Sequence, residues 1–500
     1  MSSFLIFPHQ LFENIANLKA AKMIYILEHP LFFGNRKIKM DFNKKKLIMH
    51  RASMKYYADY LKKSLSAKII YKDYHELSKY PTGLPPAFKS LKDVAYYKTI
   101  DHDLEEALKL IPNKTAIEPL NFMTTDEEFA TYYATVKTRK KPFFQTGFYK
   151  WQRERLQILM KNGKPIGGKL TYDNENRCAL PKNIKLPEVT IQRNSKSVPY
   201  IKEAITYVEK YFPKNPGNSN EDEFWCPINW NEAKKWLTSF LHERFHLFGT
   251  YQDAITEKPC SFLFHSGISC ALNIGILVPE DVIQETLQYA EKNRIPINQT
   301  EGFIRQILGW REFSRFTYQY IYKEMTTTNY FNAKFRLGTS FYEGTTGILP
   351  LDDCIKKAFK TGYLHHIERL MIVGCLMMMA EIHPDDVYKW FMEFSVDSYD
   401  WVMINNVYSM ALYSDGGLTT SKAYAASSNY EMIRKSDYKH GEWEDIWDGL
   451  YWNFIGSNLE KMKKMGRFGP IQAKNWMNKT KEEKDKFRKI SQNFIKRNIL

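Results

Sequence analysis

The chain has 500 residues, 44% hydrophobic and 26% charged, enough apolar material for two or three cores, which excludes a mostly disordered protein. Lysine and arginine number 72 against 56 acidic residues, a net charge of +16 that favours an anionic partner such as nucleic acid, although charge spread thinly also serves solubility. The six cysteines are scattered and none forms CxxC, which argues against a secreted disulfide framework or a zinc ribbon. The opening MSSFLIFPHQLF lacks the pattern of a signal peptide. The longest apolar run, Leu370 to Ala380, falls well short of the about 20 residues that span a bilayer. A cytoplasmic protein without membrane association is expected.

In chain order, FLIF (4–7), MIYIL (23–27) and AKIIY (67–71) read as short buried strands, with a helical pattern through Leu47, Met54, Tyr57 and Leu61 between the last two. This alternation predicts an α/β domain over residues 1–120, Rossmann-like, with a parallel sheet and ligands at the strand ends near Pro8–Phe12 and Glu28–Phe33. Thr125 to Glu128 spells a capping box that opens a helix within a connector over 121–195. From 196 to 500 the periodicity is helical, with helices expected over 231–247, 279–293, 301–324, 352–381 and 384–394. A large all-α domain follows.

Several motifs carry chemistry. His242-Glu243-Arg244-Phe245-His246 spells HExxH, which on a continuous helix places two imidazoles on one face for zinc, but Gln252 stands where a third ligand belongs. Gly163 to Lys169 matches GxxxxGK, yet Leu170 replaces the Ser/Thr, and the context predicts a turn. In FHSGISCALNIG, Ser266 and Ser269 can offer hydroxyl and backbone donors to a phosphate at a helix start. EGFIRQILGWREF crowds Arg305, Gln306, Trp310 and Arg311 together more than packing alone requires. His365-His366 is expected on one helix, about 100° apart, so that one ring packs and the other can donate a proton. Asp415-Gly416-Gly417 offers a carboxylate beside glycines that let a planar ring approach.

Taken in order, FPHQLF, KLIMHRASM, GGKLTYDNENR, FGTYQDA, FHSGISCALNIG, EGFIRQILGWREF, GYLHHIERLM, VYKWFMEFSVDSYDWVM and SDGGLTTSKAY resemble the photolyase/cryptochrome superfamily. The similarity is to its prokaryotic branch of (6-4) photolyases and iron–sulfur cryptochromes. The resemblance implies FAD inside the helical domain, with Tyr251, His265, Ser266, Ile268 and Ser269 on its phosphate side. It sets Gln306, Trp310 and Arg311 at the pocket wall and Asp415 and Gly416 at the flavin edge. His365 and His366 match the pair beside the lesion, and Trp390 and Tyr399 match positions of the electron-transfer route. Phe391 and Tyr342 stand where a Tyr and a Trp are common.

The implied activity is light-driven repair of UV-damaged DNA by a (6-4) photolyase, acting as a monomer. The alternative is a cryptochrome-like photoreceptor with the same FAD and no repair. Lys461, Lys463, Lys464 and Arg467 are candidates for DNA phosphates. Pro350 replaces the first cluster cysteine and SDYKHGEWEDIWDGLYW contains none, so no [4Fe–4S] cluster and no metal site are expected. Phe7, Gln10 and Glu28 loosely match a lumazine antenna pocket, from which His29 and Asn43 depart.

Overall fold

The computed structural model describes residues 2–137, 142–190 and 193–499. Five strands, β1 (Ser3–Ile6), β2 (Met23–Leu27), β3 (Lys68–Lys72), β4 (Val94–Tyr97) and β5 (Lys114–Ile117), form a parallel sheet in the order β3-β2-β1-β4-β5. Ser3 pairs with Met23 on one side of β1 and with Val94 on the other. Both faces of β1 are covered, and Phe4, Leu5 and Ile6 are buried without alternation, as a central parallel strand requires. The edge strands carry Lys68, Lys72 and Lys114, whose charges discourage pairing with another chain.

Helix α1 (Lys44–Ser64) starts at Asn43, whose side-chain oxygen accepts from Lys45 N at 2.9 Å. Asn43 is thus a structural cap. The helix Val198–Tyr211, on the C-terminal side of the boundary expected at 196, packs along α1 through Arg51–Glu203 (2.6 Å) and Lys44–Glu209 (2.9 Å). The Thr125/Glu128 capping box opens the helix Asp126–Val136 as its sequence requires. That helix joins Gln145–Leu156 in covering Phe313 and Phe316. Met160–Lys161 and Lys164–Pro165 form a small antiparallel hairpin, so the GxxxxGK match is a turn, with Asn162 and Gly163 both at positive φ.

The rest is helical, with three departures from the expected pattern, the first being that 231–247 divides at Arg244 into Trp230–Glu243 and Phe245–Phe248. The expected 301–324 helix consists of Ile297–Ile304, a π-helical stretch Arg305–Arg311, and Glu312–Thr327. The expected 352–381 helix breaks after Thr361, where Gly362 caps it in the left-handed conformation at φ 66°. His365 therefore precedes the next helix and His366 is its first residue, rather than both lying mid-helix.

The sheet domain and the helical region are joined by a polar seam. Lys46 Nζ donates to Ser398 O (2.5 Å), Arg36 bridges Asp101 (2.8 Å) and Asp400 (3.4 Å), and Asn43 N donates to Glu393 O (2.6 Å). At the far end, Trp443–Ser457 packs on Lys481–Asn498 across Gly449, where a Cβ would stand 2.4 Å from Ile490. On the same helix Trp447 is fully buried, and its indole N–H donates to Ala426 O at 2.9 Å. Trp447→Ala should lower stability by about 3–5 kcal/mol, read as a reduced denaturation midpoint, with Trp447→Phe losing less; equal midpoints would show that this core is not built on the indole.

Candidate functional site

The helical region encloses a cavity of 270 Å³. Three π-helical segments, Arg305–Arg311, Glu368–Gly374 and Ile404–Ala411, and the short helix Ser269–Ile274 line it. A wide turn re-aims the side chains after it, which is why such segments gather at functional sites. Phe248, Phe303, Ile307, Val407 and Met410 give apolar walls, and Ser266, Ser269, Gln306, Arg311, Arg369 and Asn406 give a polar side.

The Arg311 guanidinium lies against the rings of Phe122 (4.7 Å) and Trp401 (4.9 Å), which meet each other edge-on at 5.1 Å. Its hydrogen bonds go only to neutral oxygens, Asn273 Oδ1, Asn121 O (3.2 Å) and Leu272 O (3.3 Å), and its Nε has no partner among the described residues. Burial pulls its guanidinium down to about 10, against the opposing charge of Glu312. Asp397 accepts from Ser269 Oγ (2.6 Å) and the Ser395 hydroxyl and pairs with Arg369 at 2.9 Å. Burial works to raise the Asp397 carboxyl, but Arg369 and the two hydroxyls outweigh it and hold it below the usual range.

His366 stands open to the cavity although it lies deep in the protein. Loss of bulk water there, with Arg369 and Arg305 nearby, lowers its pKa to about 4, and Asp173 opposes the shift. His365 does not line the cavity. It stacks on His265 at 4.7 Å with the rings 7° apart, its Nδ1 has no partner among the described residues, and its Nε2 lies 3.5 Å from Glu368. Burial holds both His265 and His365 well below the ordinary histidine range.

A profile of deoxyribodipyrimidine photo-lyase-related proteins matches residues 4–224. A (6-4) photolyase of Agrobacterium fabrum (strain C58 / ATCC 33970) is 30% identical over 386 residues, 75% of this chain and 74% of that protein. The chain belongs to the photolyase-related branch of the photolyase/cryptochrome superfamily. Uncharacterized protein R855 of Acanthamoeba polyphaga mimivirus is 54% identical over 113 residues, 23% of this chain and 89% of that one. The fold is shared with a cryptochrome from Synechocystis sp. PCC6803 (TM-score 0.55, 14% identity, 99% of this chain and 98% of that one). It is shared equally with a class III photolyase from Agrobacterium tumefaciens (TM-score 0.52, 14% identity, 97% and 91% covered).

Within this photolyase-related chain, His265, Ser266, Ile268, Ser269, Gln306, Trp310, Arg311 and His366 meet at one cavity. Tyr251 does not: its ring packs on Phe264 in a separate cluster with Ala254 and Leu263. Asp415 and Gly416 also lie off the lining, in a turn where Asp415 accepts from Ser409 and Gly417 N (2.9 Å) and Gly416 abuts Tyr330. The cavity-facing residues of the preceding π-helical stretch are Asn406, Val407, Met410 and Ala411 instead. Trp390 lies behind Phe391, stacked on Phe394 at 4.1 Å, with Tyr342 5.9 Å further out. Tyr399 lies at the domain seam.

The HExxH pair is not a ligand set, since the helix Trp230–Glu243 ends before Arg244 and His246 belongs to a second short helix. Among the described residues no three His, Cys, Asp or Glu side chains gather to hold a metal. At the strand ends, Gln10 donates to Tyr97 O (2.6 Å), while Glu28 accepts from Arg51 (3.0 Å), Tyr71 and Tyr74 N (2.7 Å). Both groups are engaged by the chain itself, and Phe7 is fully buried.

Sequence reasoning missed Asp397, Arg369, Asn273 and Asn406. The signal available was an acid inside the apolar run FMEFSVDSYDW, an expensive placement unless the acid is paired. Arg369→Gln should cost about 3–5 kcal/mol, because it strands a buried carboxylate. Adding Asp397→Asn should recover part of that loss in a double-mutant cycle of denaturation midpoints; strictly additive losses would break the assignment.

Proposed function

We propose that this chain is a light-driven, flavin-dependent DNA photolyase of the (6-4) type, acting as a monomer with FAD in the cavity. The observation that carries this reading is an open imidazole, His366, on the wall of a deep cavity whose other side is built for an anion. The donor set fits the cofactor. Arg311 and Arg369, with Ser266 and Ser269, would hold the phosphates, and Phe248, Phe303, Ile307 and Met410 would cover the apolar part. Arg311 in particular has a partnerless Nε and no anionic acceptor. When bound, the reduced flavin supplies an electron under light.

The residues of the chain do the rest. A lesion base, weakly held in its duplex, flips into the cavity at a cost of a few kcal/mol in stacking. Apolar walls exclude water from it, and His366 stands where it can hand over a proton. His365, stacked behind His265, sits one ring further back and does not face the lesion. Since His366 is neutral at neutral pH in the free chain, the negative charge of bound DNA is what recharges it. Exposed Lys463, Lys464 and Arg467 flank Phe468, 55% exposed, a surface suited to phosphates and a base step. The similarity to the Agrobacterium fabrum (6-4) photolyase supports the lesion type. No cluster and no antenna is needed for this reading. The segment that lacks cluster cysteines is filled by Tyr438, Trp443 and Trp447, with Tyr438 donating to Asp353 at 3.0 Å.

The test is illumination of the reduced, purified protein with an oligonucleotide carrying a (6-4) lesion, with a cyclobutane dimer as control. Repair of the first is expected; flavin absorption with repair of neither would assign the chain to photoreception, and absence of flavin would end both readings. His366→Ala should keep flavin and slow repair by about 100-fold. The repair rate should rise as pH falls toward the His366 pKa. Asp173, 3.1 Å from Arg305, holds that pKa up, so Asp173→Asn should move the profile to lower pH. An unmoved profile would take His366 out of the proton step.

A further inference from the structure

We propose that Tyr399 and His50 form a proton-coupled redox pair at the seam between the sheet domain and the helical region, in which the Tyr399 phenol gives up an electron while its proton crosses to His50 Nε2. The two side chains come from opposite sides of the seam, His50 from α1 and Tyr399 from the segment after Pro384–Phe394. Their hydrogen bond is 2.7 Å long, and both are buried, at 0% and 5% exposure.

The direction of the proton follows from His50's other nitrogen. His50 Nδ1 lies 3.0 Å from Phe32 O, and a carbonyl only accepts, so Nδ1 carries the hydrogen. Burial, with Lys46 nearby, lowers the His50 pKa to about 3, so the ring is neutral and Nε2 is a bare lone pair. The phenol must then donate to it. A phenol that loses an electron becomes a far stronger acid, and a base already in place at hydrogen-bond distance removes the barrier to its deprotonation.

The other groups around the phenol do not compete. Lys46 Nζ sits 5.3 Å above the Tyr399 ring but is turned to Ser398 O. Asp397 and Arg311 are engaged with Arg369 and with neutral oxygens. Phe32, 6.0 Å from Tyr399, cannot take up a proton. Trp401, two residues on, lines the cavity and places the pair just behind its wall.

The step balances with a one-electron oxidant of the aromatic radical-cation class, such as an indole of this chain ionised by ultraviolet light. Tyr399 loses one electron, its O–H bond breaks and an N–H bond forms at His50 Nε2. The oxidant is reduced to its closed-shell ring, leaving a neutral phenoxyl radical bonded to an imidazolium. The return of the electron reverses each change. Nothing in this step depends on repair.

The experiment irradiates the full-length protein with ultraviolet light in H2O and D2O and reads the trapped radical by electron paramagnetic resonance and electron–nuclear double resonance. A phenoxyl component with an exchangeable proton coupling, absent from Tyr399→Phe and reduced about 100-fold in yield or rate in His50→Gln, is expected. Persistence of that component in Tyr399→Phe, or its full yield in folded His50→Gln, would overturn the pairing. If His50→Gln does not fold, wild-type protein labelled with nitrogen-15 histidine decides the matter. An imidazole nitrogen coupling on the radical supports the pair, and its absence refutes it. Because the readout is a radical, a chain that repairs nothing can still pass or fail this test.

Discussion

One buried carboxylate organises the cavity. Asp397 joins Ser269, Ser395 and Arg369 through its side chain, and its carbonyl accepts from Asn273 Nδ2 at 2.8 Å. Asn273 in turn holds Arg311, so the two cavity arginines are placed through one residue. A carboxylate so far from water is tolerable only when charge and hydrogen bonds surround it, and that demand fixes four segments relative to one another. The short helix at Ser269, the loop at 395–397 and two of the π-helical stretches cannot shift independently. The cavity's shape is a consequence of satisfying one acid.

The helices around it are interrupted where the site needs them to be. An unbroken α-helix through 305–311 would set Gln306 and Trp310 on one face but carry Arg311 round the side of the helix, whereas the wider turn keeps Gln306, Trp310 and Arg311 on one wall. The break at Gly362 has the same effect on the histidines. It ends one helix, lets Tyr363 and Leu364 cross the cavity edge, and starts the next helix at His366. His365, left outside that helix, stacks instead on His265.

These interruptions mark the limit of what could be read from the chain. Strands 4–7 and 23–27 announced themselves as short apolar runs bounded by polar residues, and the Thr125 capping box is a local pattern with a local cause. Ser266, Ser269 and Arg311 were legible because their motifs are compact. The π-helical turns were not, since their sequences carry ordinary helical periodicity and only packing decides the extra residue. For the same reason Asp415 looked better placed than Asn406. A carboxylate beside glycines is a visible motif, while an asparagine turned inward by a wide helical turn is not. Asp397 was missed because, Ser395 aside, its partners lie 28 to 128 residues away, as in its bond to Ser269.

The same burial that shapes the cavity also sets its charge. His265, His365 and His366 are all driven toward the neutral form, so they contribute donors and acceptors but no standing charge. Of the ionised groups on the wall, Arg311 and Arg369 face a single counter-charge, Asp397, and Asp397 is already committed to Arg369. Arg311 is held by neutral oxygens and two aromatic rings, with Glu312, off the cavity wall, as the charge that opposes it. An anion in the cavity would offset the burial that depresses Arg311. A second anion at the mouth would act on His366 in the same sense, since the charges that hold its pKa down are the cations Arg369 and Arg305. On the proposed function, ligand binding and proton supply would thus be coupled through charge alone.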